Sequence, residues 1–121
     1  DILISKLIIK IEDDSSNKSS KYFKNELINF FNNNSYKVSQ NNSNVKSKIS
    51  VQLNYSKYKD WFITKSITSI KIQAKGKTIS NNVIKAVGRS SSTQENANVS
   101  ASIRFKKELK KLSINKILFS E

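Results

Sequence analysis

VKSKISVQLNYSKYKDWFITKSITSIKIQAKGKTISNNVIKAVG, running from Val45 to Gly88, is the stretch that decides the fold of this chain. Ile49, Val51, Leu53 and Tyr55 alternate with Ser50, Gln52, Asn54 and Ser56. Successive side chains of a strand point to opposite faces, so this period of two marks a strand with one face buried and the other in water. Ile70, Ile72 and Ala74 repeat the alternation, and Val83–Val87 gives a third run that Gly88 is expected to end. Turn signals fall between Lys57 and Asp60 and at Gly76-Lys77. The whole reads as a three-stranded antiparallel meander. Ile63 and Ile67 sit in the opposite phase to Ile70, which predicts a one-residue bulge near Thr68-Ser69.

The flanks add a strand, a helix and a short strand before the meander, and a helix after it. Ile2–Ile11 is apolar on both faces, with Leu7, Ile9 and Ile11 on one and Ile4 and Ile8 on the other. Such a strand is expected to be covered on both sides. Glu12-Asp13-Asp14 closes it; carboxylates suit a hard cation, but no ligand spacing follows, and a solvated strand end is the simpler reading. Ser19 or Ser20 can cap the helix that follows, whose Phe23, Leu27, Phe30 and Phe31 form one apolar stripe. Asn32-Asn33-Asn34 should stop it, since Asn turns readily. Ser35–Ser39 reads as a short second strand, and the long strand starts near Lys46.

Ser92-Thr93-Gln94-Glu95 is a capping-box pattern, with Ser92 as cap and Glu95 reaching back. The helix it opens, to about Leu112, carries Ala97, Ala101, Phe105, Leu109 and Leu112 on one face. Its small residues permit close approach to the sheet. Arg104, Lys106, Lys107, Lys110 and Lys111 crowd its later turns, where cations favour the negative helix end. Ser113–Phe119 is either a final helical turn or a short strand. The expected fold is α+β: one domain over residues 1–121, a mostly antiparallel sheet of four or five strands, and two helices packed on one face in the order β-α-β-β-β-β-α. Phe30 and Phe105 should both be buried against the sheet.

Composition bounds the function. Lys plus Arg number 22 and Asp plus Glu 9, a formal charge of +13. A balance this basic invites a polyanion: nucleic acid, an anionic lipid surface or an acidic polymer. The simpler reading is a basic surface spread all round, because Lys, Ile, Asn and Ser crowd the chain as AT-rich codons would make them. His, Cys and Met are absent, so disulfides, soft-metal sites and the usual general base and thiol nucleophile are excluded. We therefore expect no enzyme and no cofactor. With no Met at its start the chain reads as a mature or excised piece, any leader lying upstream of Asp1. No run approaches the roughly 18 apolar residues of a membrane span, and a water-soluble chain is expected. Gly76-Lys77-Thr78 mimics the end of a phosphate loop but lacks the upstream Gly and is flanked by strands.

Tyr55-Ser56-Lys57-Tyr58-Lys59-Asp60-Trp61-Phe62 is the one aromatic-basic knot. Lys57, Tyr58, Lys59 and Trp61 are the candidate partner-binding residues, since interface hot spots favour aromatic and cationic side chains. Strict alternation puts Tyr58 off the Ile49–Tyr55 face, while Tyr55 fits the buried face. The same mixture suits a stacking platform for single-stranded nucleic acid, with Lys65 added.

The order of elements resembles the small α/β domains of bacterial envelope lipoproteins, the YajG-like, LptE-like and LpoB–TolB-N-like groups. Leu7–Asp14 (L-I-I-K-I-E-D-D) is similar to their opening strand, and Phe23–Val38 (F-K-N-E-L-I-N-F-F-N-N-N-S-Y-K-V) to their helix followed by G-Y-x-V, with Ser35 where Gly is usual. Val45–Leu53, Ile70–Gly76 and Ala97–Leu112 resemble their later strands and closing helix. The resemblance implies a non-enzymatic scaffold in the periplasm or at the outer membrane, with a lipid anchor upstream of Asp1. Its partner would be another envelope protein or a second copy of itself. The alternative is a basic nucleic-acid-binding domain.

Overall fold

The computed structural model describes residues 7–119. Five strands, β1 (Ile8–Asp13), β2 (Lys37–Val38), β3 (Val45–Tyr58), β4 (Trp61–Ala74) and β5 (Lys77–Ser90), form one sheet in the order β2-β1-β3-β4-β5. β1 runs parallel to both its neighbours, while β3, β4 and β5 are the antiparallel meander. Helices α1 (Ser20–Asn33), α2 (Gln94–Lys111) and α3 (Ile114–Phe119) complete the α+β fold. The expected architecture stands, with a mixed sheet, its two β1 pairings parallel, where a mostly antiparallel one was expected, and a short third helix in place of the undecided tail. The part of the expected first strand in residues 1–6, including Ile2 and Ile4, lies outside the described residues. From Ile8 the strand runs on through Glu12 and Asp13.

The helices lie on one sheet face. Phe23, Leu27, Phe30 and Phe31 of α1 and Ala97, Ala101, Phe105 and Leu109 of α2 are all buried. They pack on Ile9, Ile11, Ile49, Val51, Ile70, Ile72 and Ile84, with Phe23 and Phe105 rings 5.4 Å apart where the two helices meet. Burying each Val, Leu, Ile or Phe side chain among them contributes about 1.5–3 kcal/mol.

β4 overturns the expected bulge at Thr68-Ser69. Its register with β3 runs without a slip from Tyr58↔Trp61 to Lys46↔Gln73, and the irregularity lies against β5, between Ile72 and Gln73. The isoleucines and polar residues have traded faces. Thr64, Ser66 and Thr68 are buried under α2, and Ile63 and Ile67 stand half-buried on the outer face. The inversion follows from how closely α2 approaches. A Cβ built on Gly88 would fall inside contact distance of Ala101 N and Ala97 O. Only small side chains fit there, and hydroxyls bring their own partners: Thr64 Oγ1 donates to Asn98 Oδ1 at 2.5 Å and Ser66 Oγ to the Ala86 carbonyl at 2.8 Å. Gly88 thus does not end β5, which continues to Ser90; it lets the helix backbone come down on the strand.

Element ends are corrected in detail. Thr93, not Ser92, caps α2, accepting from the Asn96 amide at 3.0 Å. Glu95 leaves the capping box to accept from Tyr22 OH at 2.6 Å and from Ser19 Oγ at 3.2 Å. Ser19 stands at the start of α1 but makes no side-chain cap bond. Ser20 Oγ donates instead to Asp13 Oδ2 at 2.6 Å. The left-handed residue after α1 is Ser35, φ 68°, rather than one of the three asparagines, and the second strand shrinks to Lys37–Val38. The β4–β5 turn is Lys75-Gly76, both with positive φ.

Candidate interaction surface

With the helices on one face, the other face of the meander carries no covering element among the described residues. Alternation puts there Lys46, Lys48, Lys65, Lys71, Lys85 and Arg89, with Trp61, Ile63, Ile67, Val83 and Val87 between them. Cross-strand pairs interleave the two kinds: Lys65 sits opposite Val87, Ile67 opposite Lys85 and Ile63 opposite Arg89. Val83 and Val87 are 59% and 52% exposed. Glu12 is one counter-charge on this side, 3.4 Å from Lys46 and 4.0 Å from Lys48, and Asp14 borders the face near Lys48 and Lys71. Ion pairs this exposed contribute little to stability, so the face remains cationic. The sign of this face follows from which lysines fall on odd or even positions, a pattern visible in the sequence once β4's phase is known. Asp14 is not drawn into any acidic metal cluster; among the described residues no group of three acidic side chains converges.

The β3–β4 hairpin extends this face to a tip. Tyr58 and Trp61 pair across a two-residue turn in which Lys59 takes a left-handed φ of 53°. They lie on the open face, Tyr58 63% and Trp61 44% exposed. Each is overlaid by a cation: Lys59 Nζ stands 5.5 Å from the Tyr58 ring centroid, and the Arg89 guanidinium 5.7 Å from that of Trp61. Separations under about 6 Å are those of cation–π attraction. Of the four candidates, Tyr58, Lys59 and Trp61 are thus together at the tip. Lys57 is not with them. It points to the helix side, 4.8 Å above the Phe62 ring.

The knot is therefore divided between two faces, and it is no single stacking platform. Tyr55 also lies on the helix side, but it is 54% exposed rather than core, because α2 lies over β5 and β4 rather than over β3. Its hydroxyl accepts from Asn98 Nδ2 at 3.2 Å, and the same amide group donates to Ser19 Oγ at 3.0 Å. Gln94 Nε2 donates to Thr64 Oγ1 at 2.8 Å. These bonds tie the base of the hairpin to the first turn of α2, so its tip is carried on a braced root.

Two clefts flank the helices. One, of about 450 Å³, lies where the ends of α1 and α2 meet, between Glu26, Phe30, Lys106 and Ile114. The other, of about 560 Å³, runs between α2 and the β5 edge, which sequence reasoning passed over because its cations come from two elements. No helix among the described residues is long and apolar enough to cross a membrane.

No family model matches this chain, and no curated protein matches it. Solved structures do. A minor lipoprotein from Acinetobacter baumannii superposes with a TM-score of 0.60 at 12% identity, covering 91% of this chain and 89% of that one. Lipoprotein GNA1162 from Neisseria meningitidis gives 0.57 at 8% identity, over 88% and 99% of the two chains. The PelC dodecamer from Paraburkholderia phytofirmans gives 0.57 at 10% identity, over 88% and 87%. At such identities the likeness is one of fold: this chain has a fold that solved bacterial lipoproteins also have.

Proposed function

We propose that this chain is a non-catalytic interaction module of the bacterial cell envelope, the water-exposed domain of a lipoprotein that acts as a scaffold or assembly factor. The observation that carries the reading is the shared fold, which spans nearly the whole of the lipoproteins it resembles. A YajG-like, LptE-like or LpoB–TolB-N-like placement, at the periplasmic side of the outer membrane and tethered by a lipid upstream of Asp1, belongs to the same proposal. Docking is assigned to the hairpin tip, where Tyr58, Lys59 and Trp61 stand exposed on a braced root, with Lys57 behind them. The partner is another envelope protein or a second copy of the chain.

Membrane fractionation of the source bacterium, with labelled palmitate, tests the location. The domain should appear in the detergent-soluble envelope fraction and carry the label; recovery in the cytosol overturns the reading. Replacing Tyr58 and Lys59 together with Ala should leave the melting temperature nearly unchanged and weaken capture of the envelope partner or self-association. A large loss of stability would place Tyr58 in the fold rather than in an interface.

The basic open face supports one alternative, a nucleic-acid-binding domain. A gel shift at about 0.15 M salt decides against it if single-stranded DNA and RNA are not retained, because phosphate contacts lose affinity steeply with salt.

A further inference from the structure

β5 is the long free edge of the sheet, since it lies last in the strand order. The Arg89 amide turns away from β4 and donates to Ser100 Oγ on α2 at 3.3 Å, whereas the Ala86 carbonyl faces β4, where Ser66 Oγ reaches it. In an antiparallel ladder the groups facing one neighbour alternate with those facing the other. Val83, Lys85 and Val87 therefore point their N–H and C=O groups out of the sheet, and among the described residues nothing bonds them. Beside this edge runs the cleft of about 560 Å³, bordered by Lys85 and Arg89 from the strand and Arg104, Lys107 and Lys111 from the helix. The carboxylate in it, Glu108, is held by Lys111 at 2.8 Å.

We propose that the β5 edge and its cationic cleft form a binding site for an acidic polypeptide segment, which adds as a sixth strand beside Val83–Val87. Extended peptides bind sheet edges in this way: main-chain hydrogen bonds hold them, and alternate side chains select them. Side chains of the added strand on the helix side meet Arg104, Lys107 and Lys111, so carboxylates belong there. Those on the open side meet Val83, Lys85, Val87 and Arg89, so apolar residues alternate with the acids. A second copy of this chain is a poor occupant, because pairing two β5 edges would bring two sets of these cations together, and like charges across a ladder repel. Nucleic acid is a poor occupant too. It cannot supply backbone donors and acceptors at the two-residue repeat of a strand, and the cleft has no aromatic wall for bases. This site meets the hairpin tip only at Arg89, which overlies Trp61, includes neither Tyr58 nor Lys59, and does not depend on the envelope location.

Fluorescence anisotropy with a labelled peptide of about ten residues, Glu alternating with Val, tests the proposal. Binding should weaken about tenfold or more in an R104E/K107E variant; both residues are exposed, so the fold is not at risk. It should also weaken when Pro interrupts the peptide at equal charge, because Pro removes the ladder donor. The amides of Val83, Lys85 and Val87 should become protected from exchange on binding. Y58A/K59A should bind the peptide as the parent does, which separates a failure here from a failure of the hairpin reading. Equal binding of the Pro-interrupted peptide, or no effect of R104E/K107E, overturns the site. Displacement of the peptide by an oligothymidylate at lower concentration assigns the cleft to nucleic acid instead.

Discussion

Gly88 and Ser35 pose opposite problems for a chain with two glycines. At Gly88 a side chain has no room, because backbone atoms of Ala97 and Ala101 occupy its place. At Ser35 a side chain has room but the wrong conformation, φ 68°, which costs an L-residue roughly 1–2 kcal/mol. Gly88→Ala should therefore cost more than about 2 kcal/mol, since two backbones must separate. Ser35→Gly should be neutral or stabilising by up to about 1 kcal/mol, the relieved strain being offset by unfolded-chain entropy. Urea unfolding of both variants checks the pair. A tolerated Gly88→Ala would mean that α2 is held less closely to β5 than the structure has it. The sequence marks both places, by a Gly at the expected end of a strand and by three asparagines at a helix end. It does not say which residue takes the strain, because that depends on where the chain must go next.

Elements were legible where periodicity was strong and blurred where one element's contents answered another's shape. The apolar stripes of α1 and α2 and the β3 alternation could be read because each buries its own apolar face. The unbroken register of β4 is not legible in its sequence, because an inward Thr-Ser-Thr series makes sense only under a helix of small residues. The joint between β1 and α1 was likewise hidden, since the seryl group expected to cap the helix serves the preceding strand. Burial by itself would raise the Asp13 carboxyl, but hydrogen bonds from Ser15 and Ser20, with Lys24 nearby, outweigh it and hold the group below its ordinary 3.8. A carboxyl depressed by folding contributes stability above its unfolded value and loses it as the pH falls through the folded one. Asp13→Asn should therefore be less stable than the parent near neutrality, with the difference shrinking as the pH falls below 3.8 and through the folded carboxyl's lowered value. A gap in urea midpoint that stays constant with pH would show that the carboxylate charge contributes nothing.

At the scale of the molecule, the order of elements along the chain, helix placement and apolar core followed from pattern, the place of β1 between β2 and β3 did not, and the candidate surface followed only in part. Tyr58 was placed off the buried face by counting alone. The separation of Lys57 from Tyr58, and the convergence of Lys85 and Arg89 with Arg104, Lys107 and Lys111, needed the sheet register and the position of α2 over β5. Charge also behaves differently in three dimensions than in a count of +13. Cations cover the open sheet face and the outer rim of α2, and they are densest along the free β5 edge. Lysines on an exposed edge discourage unwanted strand pairing, and the same residues would welcome an acidic strand.

β1 lies between β2 and β3, although it is the first described strand of the chain. Ile9 pairs with Val45, while β3 and β4 meet across two residues. Closing a longer loop costs more entropy, so the meander should form early and the N-terminal strand should enter late. Pulsed amide exchange during refolding should protect Val51–Ile67 before Lys10–Glu12; simultaneous protection would contradict this order. During synthesis the consequence is a waiting time. Ile9 and Ile11 leave the ribosome well before the strand that receives them has been made, and for that interval their apolar side chains stay in water, open to a chaperone.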